Sequence, residues 1–139
     1  MSSLLPQLIS KLKADAGVSA LVGSRVYADF VPEDVEKPCV YMYITSEDST
    51  DSIIGMINFD EARVRIEAVG TSRESADNVS QAVRVALNNL LSTSYSGTDI
   101  QGISQATGKI HLVDIPNDGT DRWQFRTSQS FLITYHPFD

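Results

Sequence analysis

Glu61–Ala62–Arg63–Val64–Arg65–Ile66–Glu67–Ala68–Val69–Gly70, followed at once by Thr71–Ser72–Arg73–Glu74, decides how this chain folds. Ala62, Val64, Ile66 and Ala68 point one way and Arg63, Arg65 and Glu67 the other, the alternation of a strand with one buried face. Gly70 ends that strand. Thr71 and Glu74 then stand at capping-box spacing, where a threonine hydroxyl and a glutamate carboxylate satisfy N–H groups that the first helical turn leaves unbonded. The helix they open carries Ala76, Val79, Val83, Ala86, Leu87 and Leu90 on one face and runs to about Leu91. Glu74 and Asp77 suit the positive end of its dipole.

Upstream, Leu5, Leu8, Ile9, Leu12 and Ala16 recur at three- and four-residue spacing and predict an N-terminal helix. Ser2 or Ser3 caps it, Pro6 falls in its first turn, and Gly17 is its expected C′ residue, with a short extra turn from Val18 to Val22. Arg25–Phe30 reads as a short strand, and Pro32–Pro38 as an acidic loop. Cys39–Thr45 is apolar on both faces, as befits a central strand. Ser46–Ser52 is polar and acidic, an exposed loop or the tip of a long hairpin. Downstream, Ile100–Ile115 is a strand region interrupted by Gly102 and Gly108, and Pro116–Gly119 is a turn. Arg122–His136 is a last strand, with Trp123, Phe125, Phe131, Ile133 and Tyr135 on one side and Arg122, Gln124, Arg126, Ser128 and Ser130 on the other. Strands with one helix at the start and one in the middle predict a single α+β domain over residues 1–139: an antiparallel β-sheet with two α-helices on its apolar face.

Composition narrows the function classes. The 139 residues include 18 acids and 11 bases, a net charge of −7 that argues against a general nucleic-acid binder. Eleven aromatics within a 42% apolar share are too much for an acidic disordered tail. One cysteine excludes a disulfide scaffold and a multi-cysteine zinc site. No apolar run reaches the roughly twenty residues of a membrane span, and Met1–Ser2–Ser3 opens without the basic region of a secretory signal. The expectation is a soluble intracellular protein with no membrane partner.

Motifs for chemistry fail one by one. His111 and His136 lie far apart in strand patterns without a second ligand at metal-binding spacing. Cys39 opens an apolar strand with no basic neighbour in sequence to activate it. Gly102 and Gly108–Lys109 resemble a phosphate loop, but one residue too many separates the glycines and Ile110 stands where Ser or Thr is required. Asp48, Asp51, Asp60 and Glu61 lack calcium-loop spacing. The chain is therefore expected to be no enzyme and to carry no cofactor or metal.

Charge placement is more informative. Between Asp29 and Glu67 ten acids face only Lys37, Arg63 and Arg65, so this segment carries the whole net charge and the remainder is balanced. Opposite in sign, Arg63, Arg65, Arg122 and Arg126 project from the polar faces of two strands and form a candidate subunit interface. A chain bearing unlike patches suits head-to-tail association, which closes into a ring when the rotation allows.

The order of these signals matches a known pattern. The N-terminal helix leads into Asp15–Ala16–Gly17–Val18–Ser19–Ala20–Leu21–Val22–Gly23–Ser24–Arg25–Val26–Tyr27, then Pro38–Cys39–Val40, the strand Ala62–Ala68, a helix with Glu74–Ser75–Ala76 and Val83–Leu87, and a final strand from Arg126 to Tyr135. Over nearly its whole length the chain resembles the tail-terminator, or tail-completion, family of tailed bacteriophages and prophages. It departs from that pattern at Val69–Gly70, where a large aromatic commonly ends the strand. The resemblance implies an α+β virion structural protein that forms a hexameric ring on the head-proximal end of the tail tube after assembly in the host cytoplasm. Its implied partners are further copies of itself, the tail tube protein and the head completion or stopper protein, with DNA passing through the lumen without specific binding. Within that frame, Glu47, Asp48 and Asp51 are candidate lumen acids that keep phosphates off, and Ile53, Ile54, Met56 and Ile57 a candidate tube-facing segment. Two other classes stay open: another head–tail connector component such as a stopper or adaptor ring, and a small cytoplasmic ligand-binding domain.

Overall fold

The computed structural model describes residues 4–29, 37–51, 58–90, 99–114 and 124–136. Helix α1 (Leu4–Ala14) buries Leu4, Leu8 and Leu12 along one stripe, with Leu5 and Ile9 half-buried beside them. The expected continuation to Ala16 and Gly17 does not occur. Asp15 takes extended backbone angles and its carboxylate accepts the Val18 N–H at 3.0 Å, capping a separate helix, α2 (Ala16–Val22). Gly17 therefore lies inside α2. Gly23, at φ 61°, closes that helix by donating its N–H to the Ser19 carbonyl. The expected Ser2 or Ser3 cap lies outside the described residues.

Five strands follow: β1 (Val26–Ala28), β2 (Cys39–Asp51), β3 (Asn58–Gly70), β4 (Asp99–Asp114) and β5 (Gln124–His136), with α3 (Arg73–Leu90) between β3 and β4. They form one sheet in the order β1-β2-β3-β5-β4. The fold is α+β, as expected, but with three helices rather than two and a mixed sheet rather than an antiparallel one. β1 runs parallel to β2, whereas every other neighbouring pair is antiparallel. Three residues carry no alternation from which a direction could be read, so the direction of β1 is not legible in its sequence.

β3 shows the predicted two-faced pattern. Ala62, Val64, Ile66 and Ala68 are buried and pack with Val40 and Met42 of β2 and with Phe131, Ile133 and Tyr135 of β5. Leu4, Leu8 and Leu12 of α1, Val18 and Val22 of α2, and Val79, Val83 and Leu87 of α3 close over the same side. Each such side chain contributes about 1.5–3 kcal/mol by leaving water, which makes this single core the main stabiliser. The opposite sheet face has no helical layer among the described residues.

Three local details refine or correct the expectation. Ser72, not Thr71, caps α3: its hydroxyl accepts the Ser75 N–H at 3.1 Å and its carbonyl the Ala76 N–H. Of the two readings of the acidic run after Thr45 the hairpin holds, with strand further along it than expected: β2 continues to Asp51 opposite Asn58 as one arm of a long hairpin with β3. β4 is a full strand despite Gly102 and Gly108, and absorbs its irregular sequence in three register shifts against β5. Arg122, Trp123 and the turn at 116–119 fall outside the described residues.

Gly70 sits where β3 turns under α3. A Cβ there would lie 2.8 Å from the Ala76 backbone nitrogen and 2.9 Å from the Ser75 hydroxyl. Gly70→Ala should destabilise the fold by about 1–3 kcal/mol, read as a lower thermal midpoint, whereas Gly102→Ala, whose Cβ meets nothing within 4 Å, should leave it nearly unchanged.

Candidate functional site

The sheet face turned away from the helices is built from every second residue of β2, β3 and β5. Register places Tyr41 opposite Glu67 and Tyr43 opposite Arg65 on one side of β3, and Ser128, Ser130 and Arg126 opposite Glu67, Arg65 and Val69 on the other. The Arg126 guanidinium donates from Nη1 to Glu67 Oε1 and to the Tyr41 hydroxyl, both at 3.2 Å. Arg65 Nε donates to Ser128 Oγ at 2.8 Å. Tyr41 and Tyr43 stack with ring centroids 6.2 Å apart. Arg63 is exposed and has no side-chain partner among the described residues.

Strand alternation predicts Arg63, Arg65 and Arg126 on polar strand faces, and the structure brings the three to one face; Arg122 lies outside the described residues. Alternation does not reveal that two of the three are already bonded within the chain. The carboxylate that Arg126 meets is 4% exposed, so this is a polar network at a mostly buried site rather than a solvated charge pair. Tyr41, Glu67 and Ser128 are its unforeseen members. Only the register across three strands reveals them, since each reads as an ordinary strand residue. Burial, and next the neighbouring Glu67, push the Tyr41 hydroxyl up to about 12, while Arg126 opposes the shift.

The acids divide differently from expectation. Thr45 marks a register shift between Ile44 and Ser46, and its hydroxyl donates to the Arg63 carbonyl at 3.0 Å. Before the shift Val40, Met42 and Ile44 share the helix side; after it Glu47 does, opposite Ala62, and it accepts a hydrogen bond from the Tyr135 hydroxyl at 3.2 Å. Asp48 falls opposite Glu61 and Asp51 opposite Asn58. Ile53, Ile54, Met56 and Ile57 lie outside the described residues.

On the helix side, Lys109 of β4 donates to Asp77 of α3 at 2.9 Å and to Gln81 at 3.3 Å, and the bond to Asp77 holds that carboxyl below its ordinary range. Gln129, buried under α3, donates to the Ser80 carbonyl at 3.0 Å. These bonds clip α3 to the sheet. Cys39 is buried, and burial raises its thiol pKa against the pull of Lys37 and Arg25. Among the described residues no three His, Cys, Asp or Glu side chains gather as a metal site, and no helix is long and apolar enough to cross a membrane.

The Tyr41 network has a titration signature. Tyr41 should ionise late, near pH 12, in an ultraviolet pH titration. Because the folded state holds this proton more tightly, the network's contribution is intact below about pH 10 and is lost as pH climbs towards 12. Tyr41→Phe should abolish the late step.

Comparison with known proteins agrees with this fold. Residues 6–104 match the family model described as tail completion protein gp17. A chain from the solved structure "Virion of native gene transfer agent (GTA) particle" aligns over 97% of this chain and 99% of its own, at 19% identity and TM-score 0.59. The solved gp17 protein of bacteriophage SPP1 aligns over 99% of this chain and 90% of its own, at 14% identity and TM-score 0.46. No curated protein matches in sequence. With the family model covering well over half its length, the chain belongs to the gp17 family of phage tail completion proteins.

Proposed function

We propose that this protein works as a ring of identical copies, six as the family resemblance implies, seated on the head-proximal end of the tail tube. There it ends tube polymerisation and offers the surface on which the head completion complex docks. The observation that carries this reading is the two-sided construction of the sheet. One face is sealed by three helices; the other carries Arg63, Arg65, Arg126 and a tyrosine pair without a helical cover among the described residues. Tyrosine and arginine are the side chains enriched in protein interfaces, and here two of the arginines are already oriented by Ser128 and Glu67. The acid-rich arm formed by the far halves of β2 and β3 supplies the unlike surface. Head-to-tail contact between the two closes a ring.

In such a ring the acids of the arm that the subunit contact leaves uncovered face the bore or the tube. Acids lining a channel repel phosphates, the reverse of the attraction by which basic proteins hold DNA. The role falls to the arm as a whole rather than to a single acid, since β2 and β3 stay paired from Glu47 and Ala62 to Asp51 and Asn58.

Added to terminator-deficient tail lysates, the purified protein should make tube lengths uniform, and Arg63→Glu should lose that effect while keeping its thermal midpoint. An unchanged spread of lengths with the unsubstituted protein would exclude tube termination and favour a stopper or adaptor role. The triple variant Glu47→Lys, Asp48→Lys, Asp51→Lys should assemble into tails yet eject DNA more slowly. Unimpaired ejection removes the acids from the bore.

A further inference from the structure

We propose that the groove between α1 and the far half of β2 receives an extended segment of another tail protein. That segment adds as a strand beside β2 and alternates apolar with basic side chains. The inference rests on the assignment to the tail and goes beyond ring formation.

The chain itself shows how this edge is used. β1 lies parallel along β2 for only three residues, Val26 to Ala28 opposite Val40 to Met42. Asp29 then donates its N–H to the Met42 carbonyl at 2.8 Å and takes φ 67°, a left-handed angle outside the strand range, so β1 ends at Ala28. Past Met42, β2 runs on through Tyr43, Ile44 and Glu47 to Asp51 with β3 on one side and no described strand on the other. Its outward N–H and C=O groups are therefore unpaired by any described strand. Such an edge is a template for strand addition.

Beside this edge lies a groove of about 830 Å³ whose apolar floor is Leu5, Pro6 and Ile9 of α1, Ala28 of β1 and Ile44 of β2. A strand continuing the line of β1 would direct alternate side chains onto that floor, and these must be apolar. The rim sets the charge. Asp29 and Glu47 stand against Lys13 alone, and Glu47 is held in place by the Tyr135 hydroxyl. Asp48, Asp51, Asp60 and Glu61 lie further along the same arm. This acidic rim attracts a segment with basic residues and repels one with acidic residues.

The test reads backbone amides, because strand addition protects them and a simple side-chain contact does not. Hydrogen exchange across Tyr43–Glu47 should slow by about tenfold or more in assembled tails relative to the isolated protein. A synthetic peptide alternating valine and lysine should slow the same amides in the isolated protein, and one alternating valine and glutamate should not. Ser10→Trp, which fills the groove from its rim without touching the buried core, should remove both effects. Unchanged exchange in tails overturns the proposal, as does protection that rises with the concentration of the isolated protein alone, which would make the occupant a second copy. Tube length scored on the same tails separates the two readings. Irregular tubes with the unsubstituted protein sink the ring, and uniform tubes with unprotected β2 amides sink only the strand groove.

Discussion

Strand β3 is hydrogen-bonded on both sides along almost its entire length, to β2 and to β5, and the rest of the molecule depends on the register this imposes. A slip of one residue would exchange Ala62, Val64, Ile66 and Ala68 for Arg63, Arg65 and Glu67 beneath the helices, placing unpaired charges in the core. The correct register does several things at once. It presents a continuous apolar floor for α1, α2 and α3, brings Gly70 close under the start of α3, and aligns Glu67 between Tyr41 and Ser128.

The two faces are stabilised by different physics. Beneath the helices, removal of apolar surface from water dominates, with Lys109–Asp77 and Gln129–Ser80 adding orientation. On the other face polar groups are buried without a helix above them among the described residues, and they persist because they satisfy one another. Glu67 is 3% exposed, yet a carboxylate there is tolerable with Arg126 and Tyr41 beside it. The same bonds restrict the arginine and tyrosine rotamers in advance, which lowers the entropy that any partner of this face must overcome.

The acidic arm illustrates how a small backbone irregularity reassigns chemistry. One extra residue at Thr45 exchanges the facing of Ser46 and Glu47. Glu47 moves to the helix side, within reach of the Tyr135 hydroxyl and the groove under α1, and Asp48 comes opposite Glu61.

Local pattern was enough wherever a residue's role depends on its own neighbours in sequence. The alternation in β3, the apolar stripes of α1 and α3, the long hairpin and the strand character of β5 were legible for that reason, as was the order of elements that marks the family. Competition between nearby capping groups was not: Asp15 and Ser72 prevailed over Gly17 and Thr71 because their side chains reached free N–H groups in the folded backbone. Nor could sequence show that β1 runs parallel, that Thr45 shifts the register, or that Arg126 spans two strands to Tyr41. Those facts arise from pairing between segments up to 85 residues apart, where the partner's position, and not the residue's own type, decides which face it occupies and what it touches.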